Sequence, residues 1–357
     1  MMNLTEIFHR FLPDVNPSEI KSFGNGNIND TYLITDEPGN KRWLLQRINH
    51  KVFPRIAVLQ KNVDIVSRKM AEKLQGDPDA ARKYLYFYPV ADVPERNYTE
   101  ADGNYWRLCR FIDDSISLNE VTPQTARSAG EAFGRFEEIL SDIPEGELGE
   151  TIENFHNVSF RLWELQQAVE KDAAGRLASV RHLVDELQRR AEEMTVQERL
   201  YREGKLPKRT IHCDTKVDNI LFSRKGGVLC VVDWDTVMPG FILSDVGDFI
   251  RTGVCSTAED EPDTTKISVK KDVYKAFVEG YLSTARFLTP LEKSLIAYGG
   301  CMMTYMQAVR FLTDYINGDT YYKVTDSEHN LRRTLAQMTY LKRLDECREE
   351  MEELLKD

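Results

Sequence analysis

The sequence predicts an α+β chain in two lobes, a β-rich front and a mainly helical rear, and three observations carry that expectation. Residues up to 112 alternate extended runs and turn signals around one helical stripe. Beyond Ile112, apolar residues recur three and four apart over long stretches. Between residues 210 and 232, short β-like pieces separated by polar residues interrupt the helices. The lobes are expected at 1–112 and 113–357, joined near Asp113-Asp114-Ser115.

Glu19 to Phe23 reads as a first strand, leading into Gly24-Asn25-Gly26-Asn27, and Thr31 to Thr35 as a second. Pro38-Gly39-Asn40 is a turn signal, and Arg42 to Ile48 follows as a third strand. Ile56, Leu59, Val63, Val66, Met70 and Leu74 then mark one face of a helix. Tyr84 to Val90 and Tyr105 to Ile112 read as two more strands, the second introduced by Asp102-Gly103-Asn104. In the rear, one stripe runs from Ala126 to Leu140 and another from Leu177 to Met194. A third runs from Leu331 to Leu354, and all three read as packing faces. The interrupting β pieces are Thr210-Ile211, Ile220-Leu221-Phe222 and Val228 to Val232.

Composition narrows the function. The 357 residues hold 47 Lys and Arg against 58 Asp and Glu, a net charge of −11, and 41% are hydrophobic. That apolar fraction suffices for a core and rules out a wholly disordered chain. The acidic balance argues against nucleic acid as a partner, because phosphate neutralisation drives that affinity. A nucleotide ligand stays open, since a few local cations and Mg2+ hold phosphates inside an acidic protein. Ser294 to Val309 is the longest notable uncharged stretch, shorter than the ~20 apolar residues of a membrane span, and it reads as a buried core helix. No membrane association is expected. The N-terminus lacks a basic run followed by an apolar one, so no signal peptide is read there. Six dispersed cysteines without a Cys-x-x-Cys pair, and six dispersed histidines, point to reduced thiols in the cytoplasm and away from structural zinc. The oligomeric state is not legible; a monomer is compatible.

The chemistry concentrates in His212-Cys213-Asp214-Thr215-Lys216-Val217-Asp218-Asn219 and in Val231-Val232-Asp233-Trp234-Asp235. Phosphoryl transfer needs a carboxylate to orient and accept the proton of an attacking hydroxyl, oxygen ligands for Mg2+, and a cation near the transferred group. One loop supplies Asp214, Lys216 and Asn219, and the later strand–turn supplies Asp233. The step from Asp214 to Asn219 matches the spacing of the His-Arg-Asp-x-x-x-x-Asn loop of protein kinases. His212 reads as a structural residue that holds the loop. Asp235 reads as a brace of its turn, and Asp245 and Asp248 as residues that lock the catalytic loop.

These two motifs resemble those of the aminoglycoside phosphotransferase/choline kinase family of small-molecule kinases. Together with the run from Arg310 to Tyr322, they are most similar to the N-acetylhexosamine 1-kinases of that family, and the resemblance spans most of the chain. It implies a two-lobed protein-kinase-like fold, an N-terminal nucleotide-binding lobe and a C-terminal catalytic and substrate-binding lobe. It implies Asp214 as catalytic base, Lys216 as a phosphate-contacting lysine, Asn219 and Asp233 as Mg2+ ligands, and Mg2+-ATP as phosphoryl donor. Cys213 replaces the arginine with which protein kinases sense a phosphorylated activation loop. Asp233-Trp234-Asp235 replaces Asp-Phe-Gly, and no Ala-Pro-Glu occurs. These departures point to a constitutive kinase of small molecules.

On the nucleotide side, Gly24 and Gly26 are the first two glycines of a Gly-x-Gly-x-x-Gly turn, with Asn29 at the third position. Alone, such a pair also reads as a hairpin turn; ahead of a third strand and a helix it resembles the kinase phosphate lid, where glycine lets backbone N–H groups approach phosphate. Leu45 and Arg47 share a strand face, so Arg47 falls where kinases carry lysine, with a planar fork in place of a point charge. Asn62, Asp64 and Glu72 are the candidate partners on the following helix, and Leu108 to Ile112 resembles the adenine hinge. On the substrate side, the resemblance implies Arg310 and Tyr321, with Asn27 reaching from the lid. Arg310 reads equally as half of a structural ion pair, and Tyr321 and Tyr322 as core or surface aromatics. The implied reaction is phosphorylation of the anomeric hydroxyl of an N-acetylhexosamine. The other acceptors weighed are an aminoglycoside, choline or homoserine, and a nucleotide-binding pseudokinase is the reading from another class.

Overall fold

The computed structural model describes residues 2–24, 28–36 and 41–355. In chain order come α1 (Leu4–His9), β1 (Pro17–Ser22), β2 (Asp30–Asp36), β3 (Arg42–Ile48) and α2 (Ile56–Lys73). β4 (Thr99–Ala101), β5 (Asn104–Arg110) and β6 (Ser115–Ser117) follow. Next are α3 (Pro123–Leu140), α4 (Val158–Lys171), α5 (Leu177–Arg189), α6 (Ala191–Met194) and α7 (Val196–Arg202). β7 (Arg209–Ile211), β8 (Ile220–Ser223) and β9 (Val228–Val231) precede α8 (Ile242–Gly253) and α9 (Lys271–Thr284). The chain continues through α10 (Pro290–Ser294), α11 (Ile296–Asn317) and α12 (His329–Glu353). The class is α+β, with a sheet in the N-terminal region and a helical C-terminal part, as the sequence predicts. Two compact units result. One comprises Met1–Leu118, Asp142–Glu153 and Ile220–Pro239, the other Asn119–Ser141, Asn154–Asn219 and Gly240–Asp357.

The first unit is built on an antiparallel sheet of order β1-β2-β3-β5-β4. Alternation on β3 sends Trp43 and Leu45 to one face, where they join Ile34, Trp106 and Leu108 against Ile7, Phe8 and Phe11 on and beside α1. Gln46 lies on the opposite face. The hairpin between β4 and β5 turns on Asp102 and Gly103, both at positive φ (50° and 71°), the conformation that a two-residue turn requires.

The strand expected over Tyr84 to Val90 does not form. β4 takes the first part of that edge of β5, and Pro89 has no N–H to donate. What remains is Tyr88 N–H to Leu108 O (2.8 Å), Arg110 N–H to Tyr86 O (2.9 Å) and isolated bridges at Phe87 and Val90. A second sheet, β6-β8-β9, carries the segment that ends at Asp233.

The second unit is helical and depends on close backbone approach. A Cβ placed on Gly130 of α3 would lie 2.1 Å from Phe277 O of α9, and one on Gly280 of α9 would lie 2.2 Å from Arg127 O. A Cβ on Gly247 of α8 would lie 2.2 Å from Gly299 O of α11. Glycine lets these helix pairs touch, α3 with α9 and α8 with α11. α11 is the buried core helix expected from its composition. Among the described residues, no helix is long and apolar enough to cross a membrane.

Candidate active site

In the second unit, β7 delivers the chain into the loop that carries Asp214. Cys213 adopts a left-handed backbone (φ 65°), a strained state for a side chain with a Cβ. Asp245 of α8 stabilises it. Its Oδ2 accepts His212 N–H (2.6 Å), its Oδ1 accepts Cys213 N–H (2.7 Å), and its main-chain O accepts the Thr215 hydroxyl (2.6 Å). The buried His212 ring packs edge-on against Phe133 and Phe136 of α3. His212 is thus a holding residue, and Asp245 locks the loop as expected.

Asp214 has both carboxylate oxygens engaged. Lys216 Nζ lies 2.6 Å from Oδ1, and Asn219 Nδ2 donates to Oδ2 and to the main-chain O, each at 2.9 Å. Desolvation lowers the Lys216 pKa, but the carboxylates of Asp214 and Asp248 outweigh it and hold the ammonium well above its usual range. Asp248 in turn pairs with Arg251 (3.0 Å), which also reaches Glu259 (3.2 Å). His156 stands among these charges. Burial first, then Arg310, Arg161 and Arg251, push its pKa from 6.5 down to about 3, against the pull of Asp214. It is a neutral imidazole at physiological pH.

In the first unit, Asp233 follows β9 in a left-handed conformation (φ 62°) and is exposed, whereas Trp234 and Asp235 beside it are each 1% exposed. Trp234 Nε1 donates to Val231 O (2.8 Å). Asp235 is ion-paired to Arg107 of β5 (2.6 Å) and accepts Asn29 Nδ2 (2.6 Å). Arg107, itself 3% exposed, donates to Gln46 Oε1 (2.9 Å). Asn29 Oδ1 accepts Asn49 N–H (2.9 Å), so both ends of its amide are engaged, a latch between Asn49 and the Asp233 turn. Arg107 and Gln46 are the polar residues on this side of the sheet that sequence reasoning did not single out. Their signal was a charged and an amide side chain at paired strand positions, Gln46 opposite Arg107.

Arg47 lies elsewhere. It ends the Trp43–Leu45 face and pairs with Asp30 near solvent. Asn62 is buried, donating to Gly149 O (2.7 Å) and Val237 O (2.9 Å), while Asp64 pairs with Arg68 and Glu72 with Lys69. None of the three meets Arg47. Gly24 has φ 76°, which glycine alone adopts freely; Gly26 and Asn27 lie outside the described residues.

Arg310 of α11 has no carboxylate partner among the described residues. It donates to Gln307 Oε1 (3.2 Å) and stands over three rings, Phe155 (5.5 Å), Tyr322 (5.6 Å) and Tyr321 (5.7 Å). Tyr322 is fixed by Gln307 Nε2 (3.1 Å), whereas Tyr321 is 66% exposed. The turn that presents both tyrosines is gathered by buried Asp314, whose carboxylate accepts the N–H of Thr320 (2.8 Å), Tyr321 (2.8 Å) and Tyr322 (3.0 Å). The Thr320 hydroxyl (3.4 Å) and Asn330 Nδ2 (2.8 Å) also donate to that carboxylate. The structure therefore brings Asp214, Lys216 and Asn219 together in one unit, which also holds Arg310 and Tyr321, and it places Asp233, Asn29 and Arg47 in the other.

Against known proteins, the phosphotransferase enzyme family model matches residues 19–275. The chain belongs to the phosphotransferase enzyme family. Its fold is that of aminoglycoside phosphotransferases and choline/ethanolamine kinases. This phosphotransferase shares its fold with an aminoglycoside phosphotransferase from Alicyclobacillus acidocaldarius, at 14% identity over 99% of this chain and 97% of that one, TM-score 0.66. A choline/ethanolamine kinase family protein from Mesorhizobium loti matches at 13% identity over 95% and 92%, TM-score 0.56. An ADP-bound aminoglycoside phosphotransferase matches at 10% identity over 96% and 99%, TM-score 0.52. At such identities the phosphotransferase shares architecture with them, and its acceptor has to be argued from its own residues.

Proposed function

We propose that the chain transfers the terminal phosphoryl group of Mg2+-ATP to a hydroxyl of a neutral sugar, the anomeric hydroxyl of an N-acetylhexosamine, giving the sugar 1-phosphate. Arg310 is the observation that carries the choice of acceptor. A guanidinium without a carboxylate partner repels the ammonium groups of an aminoglycoside or choline. The same guanidinium is a donor for a neutral carbonyl oxygen such as that of an acetamido group. Phe155 and the two tyrosines supply aromatic surface for the apolar face of a pyranose. The names of the similar structures are compatible with the second reading, an amine-bearing alcohol, and the same three rings suit a quaternary ammonium.

In this reading Asp214 orients the acceptor hydroxyl and takes its proton as the phosphoryl group is transferred. Lys216, raised in pKa, stays protonated and balances charge beside that carboxylate. The donor set fits Mg2+. Asn219 spends its amide nitrogen on Asp214 and retains a hard carbonyl oxygen, and Asp233 offers an exposed carboxylate. Each of these oxygens would suit Mg2+, which when bound would neutralise charge on the phosphates. Gly24 and Gly26 would serve the nucleotide and Asn27 the acceptor, and the similar aminoglycoside phosphotransferase is ADP-bound. The Asn29 latch then carries the lid, and Arg47 stays available to phosphate only by leaving Asp30.

The test is ADP release with Mg2+-ATP against N-acetylglucosamine, N-acetylgalactosamine, glucose, galactose, kanamycin, choline and homoserine, with phosphorus NMR of any product. Phosphate on the anomeric oxygen of an N-acetylhexosamine is the expected result. Turnover confined to amines removes the reading of Arg310 and Tyr321, and nucleotide binding without turnover on any acceptor points to a pseudokinase.

A further inference from the structure

Beneath the catalytic loop lies a layer of titratable groups that phosphoryl transfer does not itself use. Glu137 of α3, Asp245 of α8 and Tyr281 of α9 are each 1% exposed. Both oxygens of Asp245 already accept backbone N–H groups, from His212 and Cys213. Glu137 Oε2 accepts the Tyr281 hydroxyl, while Glu137 Oε1 is buried with no donor against it. The acidic side chain within reach of Glu137 is the Asp245 carboxyl. Two carboxyl groups in contact and away from water do not both stay charged; one proton between them turns repulsion into a hydrogen bond. The donors decide where it sits. Two N–H bonds favour the charged form of Asp245, and Glu137 Oε1 has no other partner.

We propose that Glu137 is a protonated positioning residue, whose carboxyl hydrogen is donated to Asp245 and so holds the left-handed turn that aims Asp214. Burial above all, then the neighbouring Asp245, raises the Glu137 pKa well above the ordinary carboxyl range. The groups facing it agree with a neutral carboxyl. Asp245 comes from α8, Tyr281 from α9, Glu292 from α10, Arg209 from β7, and His212 and Cys213 from the loop. Arg209, the cation among them, is committed to Glu292 through two hydrogen bonds (2.6 and 2.8 Å). The chain of contacts is continuous: Tyr281 to Glu137, Glu137 to Asp245, Asp245 to the backbone on either side of the strained Cys213, and thence to Asp214. The sequence held a trace of it, since Glu137 falls on the buried face of the stripe that includes Phe133 and Leu140.

The inference rests on Asp214 meeting the acceptor, and the first readout is independent of that. Infrared spectra of the full chain are recorded at pH 8, where exposed carboxyls are ionised. The parent protein should show the C=O stretch of a protonated carboxyl, and Glu137→Gln should lack it; coincident spectra overturn the proposal. The second readout is kcat at saturating substrates. Glutamine keeps an N–H for Asp245 and an oxygen for Tyr281, so Glu137→Gln should stay within about threefold of the parent. Glu137→Met leaves Asp245 without that donor and should lose about tenfold or more in kcat, with KM for ATP little changed. A glutamine variant as impaired as the methionine one overturns the proposal. Should Glu137→Met not fold, the glutamine variant and the infrared band decide between the outcomes.

Discussion

Two turns in the second unit are each gathered by one buried carboxylate, and they are built differently. Asp245 accepts the N–H groups of His212 and Cys213 and shapes the turn that carries Asp214. Asp314 accepts three consecutive N–H groups, from Thr320 to Tyr322, and shapes the turn that carries the tyrosine pair. Behind Asp314 stands the amide of Asn330, a donor at every pH; behind Asp245 stands another carboxyl, Glu137. The first anchor thus depends on a retained proton and the second does not. The first holds Asp214, the group proposed to meet the acceptor hydroxyl, and the second the wall beside Arg310. Damage to one should appear in turnover and damage to the other in acceptor affinity.

The largest effect expected is at the group that the first anchor serves. Asp214→Asn keeps the shape and the Asn219 contact but loses the proton acceptor. It should fold, by its circular dichroism and melting profile, and lose about 100- to 10,000-fold in kcat. Near-parental turnover would remove Asp214 from the reaction. At the second anchor, Asp314→Asn puts an amide N–H against backbone N–H groups and loosens the tyrosine turn. KM for the acceptor should rise about tenfold while KM for ATP and kcat hold, the pattern of lost uniform binding. A fall in kcat alone would erase the contrast between the two anchors.

Smaller effects concern stability. Gly247→Ala forces a Cβ to within 2.2 Å of Gly299 O and should cost about 1–3 kcal/mol in denaturant unfolding by separating α8 from α11. His156 gives a pH signature. Its folded pKa of about 3 lies below the 6.5 of an unfolded histidine, so between these values the unfolded chain binds the extra proton and stability falls on acidification. The slope should approach about 1.4 kcal/mol per pH unit below pH 6 and flatten in His156→Phe, measured by urea midpoints from pH 7 to pH 5. An unchanged slope in that variant would place the acid sensitivity elsewhere.

Much of this was legible in the sequence because local patterns coincide with local structure. The loop from His212 to Asn219, set between two β pieces, combines polar spacing and chemistry in eight consecutive residues, and Asp245 was recognisable as its lock. The stripes from Ile56 and Ala126 became α2 and α3. What was not legible depends on partners far away in the chain. Tyr84 to Val90 has strand composition, but β4 already occupies part of the edge it would pair with. Arg47 shows its charge in the sequence, yet its engagement by Asp30 depends on the β2–β3 register. Arg310 read equally as an ion pair or a ligand contact; among the described residues it stands over three rings and has no carboxylate partner. Glu137 and Asp314 each sit on a buried helix face, where a lone acidic residue signals a partner without naming it.

The most direct measurement is a competition in a single tube: Mg2+-ATP with equal concentrations of N-acetylglucosamine, kanamycin and choline, products read by phosphorus NMR, for the parent and for Arg310→Gln. The parent should place phosphate on the anomeric oxygen of the sugar and leave both amines untouched, and the variant should lose most of that sugar turnover. Phosphorylation of kanamycin or choline by the parent, with the sugar unchanged, would contradict the account.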